Sequence, residues 1–307
     1  MCEELILHIG HGKTGSSYLQ SVLAINRELL LGKGIYYPEH KSDSAARLGR
    51  ISSGNGSDFL EEAWLGDPSL RVLVSGERLF HALASDEAIQ NLVLRRSKRP
   101  KVIVYTRDVL DMLHSVWAQS VKRGGNVKPL NTFLTSHSDP HHSRVLWWIS
   151  AASRYGFDIE LSNYSRRRND LLHHFCRSCF GEEVEASSLV LPKALSVNRS
   201  LTAVESEVIR VVNASFPESS GRIADQLVNL LPDFPSSRAK INSAVYELLH
   251  SRYIGLIEKL NCHLTKEDQL MFGDRSQFVG ETDTQHCLSD KQFDVIVRGI
   301  SSILNGC

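Results

Sequence analysis

The sequence carries no excess of charge: 35 basic and 35 acidic residues cancel over 307 positions. Nothing therefore draws it in bulk to nucleic acid or to an anionic membrane. No run approaches the roughly 18 apolar residues of a membrane span. The start, Met1-Cys-Glu-Glu4, has neither a basic n-region nor an apolar h-region, so no signal peptide is expected. Cysteines are few and scattered; only Cys176 and Cys179 form a C-x-x-C pair, with no second pair at zinc spacing. That pair falls in a helical pattern and reads as two core thiols, and a reducing cytoplasm is the expected setting. His141-His142 and His173-His174 are adjacent pairs. Neighbouring positions do not share a helix face, and no third ligand is evident, so no metal site is predicted. Internal repeats and low-complexity segments are lacking too.

What the chain does have is concentrated near its N-terminus. An apolar run, Leu5 to Ile9, leads into Gly10, Gly12, Lys13 and Gly15, then into a helical pattern at Tyr18, Leu19, Val22 and Leu23. That order is strand, turn, helix. Backbone N–H groups of such a turn point outward, and the helix N-terminus adds partial positive charge to that of Lys13. The expected ligand is a phosphate or sulfate group.

Further strands are predicted at 34–38, 70–75, 99–107 and 157–161, alternating with helices, the clearest at 109–123, 145–155 and 170–180. Residues 41–58 and 126–142 read as polar loops, 59–65 as a short helix. This alternation over 4–181 predicts an α/β core: a central parallel sheet flanked by helices, of the P-loop nucleoside-kinase-like kind. Residues 200–307 read as mostly helical, with helices near 200, at 222–231, 239–260 and 290–304, and a polar stretch at 265–289. One domain spanning 1–307 is expected, with a homodimer left open.

The loop departs from the nucleoside-triphosphate pattern G-x-x-x-x-G-K-[ST]. Gly10 and Gly15 have the spacing, but Ser16 occupies the lysine position and the lysine falls at Lys13. The strand at 102–106 ends in Thr106-Arg107, with no evident acid for Mg²⁺. An ordinary kinase or ATPase is disfavoured while anion binding stands. The stretch from His8 to Gln20 instead resembles the 5′-phosphosulfate-binding loop of the sulfotransferase family. The bacterial-type form of that loop reads H-I-G-x-x-K-T-G-[ST]-[ST]-x-L-Q. The family's second motif, an Arg ending a strand with a Ser eight residues later, matches Arg107 and Ser115. Weaker similarity continues at 34–38, 75–77, 168–171 and 197–201, so the resemblance covers roughly residues 4–215.

The resemblance implies an enzyme that moves a sulfuryl group from 3′-phosphoadenosine 5′-phosphosulfate (PAPS) to a hydroxyl or amine of a small-molecule acceptor, releasing adenosine 3′,5′-bisphosphate (PAP), with no metal. It implies a 5′ site at Gly12, Lys13, Thr14, Gly15, Ser16 and Ser17. It implies a 3′-phosphate site at Arg107 and Ser115, with Arg199 closing from the C-terminal region. Lys13 would stabilise charge growing on the leaving phosphate. A Glu or His base is required, and the positions that match are His40 and Glu39 after the second strand and Glu77 after the third. His40 ranks first because imidazole titrates near neutrality; Glu77 is second and Glu39 third. Arg166-Arg-Arg168 reads as a solvated face. A nucleotide kinase with a displaced lysine and a non-catalytic nucleotide-binding protein are the alternatives.

Overall fold

The central strands of the computed structural model are short apolar runs, buried on both faces in the way parallel sheets require, whereas the last strand, Asp158–Asn163, is polar and partly exposed. The strands are β1 (Glu4–His8), β2 (Ile35–Tyr36), β3 (Arg71–Ser75), β4 (Pro100–Thr106) and β5 (Asp158–Asn163). They form one five-stranded sheet in the order β2-β3-β1-β4-β5, and every pairing is parallel. The structure describes residues 2–10, 12–48, 54–61, 70–138, 141–192, 199–217, 219–235, 237–280 and 288–305.

The chain divides into two compact units that interleave along the sequence. The first takes residues 1–108, 140–197 and 256–270 and holds the whole sheet. Ile6, Leu73, Ile103 and Tyr105 share one core with Leu19, Val22 and Leu23 of the helix Ser16–Ile25 and with Leu172, Phe175, Cys176 and Cys179 of the helix Leu171–Phe180. The alternate set, Leu5, Leu7, Val72, Val74, Val102 and Val104, is equally buried. With a side-chain period of two, that set belongs to the opposite face. The helix His141–Tyr155 packs on β4 and β5 and anchors there through buried Trp148, whose Nε1 donates to the Phe80 carbonyl at 3.2 Å. The C-x-x-C thiols are the expected core residues; burial raises the Cys176 thiol to about 11 and raises Cys179 as well.

The second unit takes 109–139, 198–255 and 271–307 and is helical. Its helices include Val109–Arg123, Ala203–Asn213, Ser220–Leu230 and Asp290–Leu304. Two capping boxes start helices here, Thr202 with Glu205 and Ser289 with Gln292.

Three sequence readings are corrected. The stretch 41–58 contains the helices Asp43–Arg47 and Gly56–Phe59. The polar stretch 126–142 contains the helix Leu130–Ser136, with Leu130 and Leu134 buried. The short helix at 59–65 instead ends at Phe59, and 62–65 lies outside the described residues. In the first two cases a few well-placed apolar residues fold a segment whose average composition is polar. Among the described residues no helix is long and apolar enough to cross a membrane, and no cluster of three metal-ligating side chains occurs.

Candidate active site

Sheet register brings the site together. β1 lies between β3 and β4, and all three run parallel, so their carboxyl ends share one edge. His8, the last residue of β1, pairs with Ser75, the last of β3. The loop 9–15 therefore leaves the middle of the edge. Glu77 follows β3 on one side of it and Arg107 follows β4 on the other. Ligands of open α/β sheets bind at this edge.

The loop is held in a tight form. Lys13 has φ 74° and Gly15 φ 79°, and Lys13 is the only non-glycine with positive φ among the described residues. Gly15 needs its hydrogen: a Cβ there would come within 2.4 Å of Leu171 Cδ2. Its carbonyl accepts from the N–H groups of Tyr18 and Leu19 and opens the helix Ser16–Ile25. Lys13 is exposed, whereas Thr14 and Ser16 are buried, Ser16 Oγ without a hydrogen-bond partner. Ser17 is half-buried. Arg107 donates from Nη1 to the Lys13 carbonyl at 3.0 Å, and its Cζ lies 5.5 Å from the Tyr164 ring centroid. His142 Nε2 approaches the Arg107 carbonyl at 2.8 Å.

Of the three candidate bases, the structure brings Glu77 to the loop. A Cβ on Gly12 would lie 3.3 Å from Glu77 Oε2. Burial raises the Glu77 pKa above the ordinary carboxyl value, and the Lys13 charge pulls part of that back. The first-ranked candidate, His40, lies elsewhere. Its side chain is buried, Nδ1 is 3.0 Å from Ser42 Oγ, and Nε2 is 3.6 Å from Asp43. Burial lowers its pKa, and the charges acting on it come from Asp43, Arg27, Asp58 and Glu39, none of them in the loop. Glu39 is 75% exposed and reaches Arg27 at 3.4 Å.

The other two predicted residues fall in the second unit. Ser115 is half-buried on the helix Val109–Arg123. Arg199 forms a buried pair with Glu205, at 2.7 and 2.8 Å, and donates to the carbonyls of Ser200, Leu227 and Leu231. Those bonds use its whole fork in tying down the Thr202 capping box, in place of the expected phosphate contact.

Sequence reasoning gave no role to a buried polar trio beneath the loop. His8 Nδ1 is 2.9 Å from Ser75 Oγ, and Gln20 Nε2 donates to the same oxygen at 3.4 Å. All three side chains are buried. His8 is held neutral, with burial lowering its pKa to about 4. The signal was present in the string: polar residues at positions whose neighbours Leu7, Ile9, Leu19 and Val74 are all apolar.

The chain is similar to a sulfotransferase from Alicyclobacillus acidocaldarius, with 12% identity and a TM-score of 0.40 over 86% of this chain and 96% of that one. No family profile and no curated protein sequence matches it. A likeness this distant carries no argument about chemistry, which rests on the site.

Proposed function

We propose that the chain is a PAPS-dependent sulfotransferase acting on a hydroxyl or amine of a small molecule. The observation that carries this reading is the meeting of Lys13, Arg107 and Glu77 at one sheet edge. A cation-bearing loop, an arginine fork and a shielded carboxylate are what sulfuryl transfer needs around its reacting centre. The loop fits a 5′-phosphosulfate: buried Ser16 Oγ lacks a protein partner, and Gly12 offers no side chain between Glu77 and the loop.

In this mechanism Glu77 takes the proton of the acceptor O–H or N–H as that atom attacks sulfur in line. The bond between sulfur and the bridging phosphate oxygen breaks as the new bond to sulfur forms. Lys13 and the loop N–H groups bear on the charge that develops on that oxygen. Arg107 donates paired hydrogen bonds to the 3′-phosphate, for which its planar fork is suited. The products are PAP, the sulfated acceptor and one proton.

Calorimetry with PAP and with adenosine 5′-monophosphate tests the nucleotide part. PAP should bind at least tenfold more tightly, since only it carries the 3′-phosphate for Arg107. Equal affinities for the two nucleotides would sink the reading. Transfer of label from PAPS in the presence of EDTA, with a panel of phenols, alcohols and amines, tests the chemistry; ATP turnover that requires Mg²⁺ would replace it with the kinase alternative.

A further inference from the structure

We infer that His8 is a positioning residue for the loop: it donates from Nε2 to Ser16 Oγ when the anion is bound, so that Ser16 turns its own proton onto the 5′-phosphate. This rests on the sulfotransferase reading, since it takes the loop 9–15 as the seat of that phosphate.

Gly10 brings the two groups together. A Cβ on Gly10 would lie 3.0 Å from His8 Nε2, 3.0 Å from Ser16 Oγ and 3.0 Å from Thr14 Oγ1. Three polar atoms thus surround a spot that any other residue would fill. His8 and Ser16 are each 1% exposed, and neither His8 Nε2 nor Ser16 Oγ has a hydrogen-bond partner. Buried polar groups left unpaired are costly, and here two of them face the same spot under a ligand loop. The imidazole is held toward that spot. Its ring meets Phe175 edge-on with centroids 5.2 Å apart and Tyr105 at 5.9 Å, and its Nδ1 is 2.9 Å from Ser75 Oγ. Ser75 is itself pinned, its backbone N–H donating to Asn55 Oδ1 at 2.7 Å.

The proton of the neutral ring belongs on Nε2. Ser75 Oγ accepts from Gln20 Nε2 at 3.4 Å and has one proton of its own to give. Given to His8 Nδ1, that proton finds an acceptor, and the ring carries its hydrogen on Nε2. With the ring protonated on Nδ1 instead, His8 and Gln20 would both donate to Ser75 Oγ. The buried Ser75 hydroxyl would then have no acceptor, and Nε2 would be a bare lone pair. The first arrangement leaves fewer groups unpaired. Burial keeps the ring uncharged, with its pKa at about 4, so it brings the loop a donor that is not a cation.

A hydroxyl both donates and accepts. Once Ser16 Oγ accepts from Nε2 on its inner side, its proton is free to point outward. Hydrogen bonds of this kind tighten when the ligand is in place, and bonds in series polarise one another. The chain Gln20, Ser75, His8, Ser16 then runs from donor to acceptor in one direction and ends at the 5′-phosphate.

The test is calorimetry on the full chain with PAP and with adenosine 3′-monophosphate, which lacks the 5′-phosphate. The proteins are the wild type, His8→Asn, Ser16→Ala and the double variant. His8→Asn keeps an amide beside Ser75 but is too short to reach Ser16. It should weaken PAP about tenfold and leave adenosine 3′-monophosphate at the wild-type affinity. In the Ser16→Ala background the same substitution should cost PAP almost nothing, because His8 acts through that hydroxyl. Equal losses for the two nucleotides overturn the proposal and mark His8 as a packing residue. So does a loss of PAP affinity as large without the Ser16 hydroxyl as with it. Should His8→Asn fail to fold, nitrogen NMR of the wild-type imidazole decides. His8 should carry its proton on Nε2, and that N–H should move downfield when inorganic sulfate is added. A ring protonated on Nδ1, or a signal indifferent to sulfate, overturns the role. Failure of PAP to bind the wild type overturns the sulfotransferase reading instead, and the tautomer with its response to sulfate still decides the place of His8.

Discussion

Arg107 donates from Nη1 to the carbonyl of Lys13 across 3.0 Å, joining the end of β4 to the loop that follows β1. The two cations are thus fixed to one frame, although 94 residues separate them in sequence. If Arg107 also grips a 3′-phosphate, Arg107→Ala should weaken PAP binding about 10- to 100-fold, the worth of one or two charge-assisted hydrogen bonds. Adenosine 5′-monophosphate should be much less affected. Calorimetric titration of both nucleotides decides it: equal losses would mean that Arg107 only shapes the loop.

Glu77 should govern the acid side of the pH profile. A base works in its ionised form, so kcat/KM should rise with pH through a carboxyl group titrating above the ordinary 4.5, as burial requires. Glu77→Gln should lower kcat by about 10²- to 10⁴-fold and abolish that rise. Lys13 lowers the Glu77 pKa through its charge. Lys13→Met should therefore move the Glu77 titration to higher pH, readable by carboxyl NMR even where turnover is too slow. A downward move would show that Lys13 does not face this carboxylate.

Lys13 carries strain that a glycine would not. Its φ of 74° lies in the left-handed region, where an L side chain costs about 1–2 kcal/mol. Both Lys13→Gly and Lys13→Ala lose the charge, so their difference isolates the backbone. The glycine variant should be the more stable by about 1 kcal/mol in urea unfolding, against the usual order in which alanine stabilises. An alanine variant of equal or greater stability would show that the loop relaxes when the lysine leaves.

The sheet was legible because parallel strands are local apolar runs. Leu5 to Ile9 and Pro100 to Thr106 announce themselves, and the strand–turn–helix order marks the carboxyl edge. Lys13 and Arg107 were legible for the same reason, each being the punctuation after a strand. The base was not. His40 and Glu77 follow different strands by similar distances, and only pairing order decides which one faces the loop. β3 is the immediate neighbour of β1 while β2 is one strand further out, so Glu77 arrives at Gly12 and His40 does not. Arg199 was misread because its partner Glu205 is part of a capping box six residues on, and the pair is stabilised by Gln292 Nε2, donating to Glu205 Oε1 at 2.8 Å from a distant helix. Long-range pairing of this kind leaves no trace in local composition.

His8 should make the fold sensitive to mild acid. Its pKa is about 4 in the folded chain because burial disfavours the imidazolium, against an ordinary value of 6.5 when unfolded. Between those values the unfolded chain takes up a proton that the folded chain refuses. The contribution is therefore fully present above pH 6.5 and is lost as pH falls to about 4, on the order of 3 kcal/mol in all. His40 and His174, whose pKa values burial also lowers, act in the same direction. His8→Gln keeps a polar group beside Ser75 but cannot titrate. Urea unfolding from pH 7 to pH 4 should show a shallower decline in the variant than in the wild type, with the gap opening below pH 6.5. Parallel declines would mean that water or a partner group reaches His8 and lets it charge within the fold.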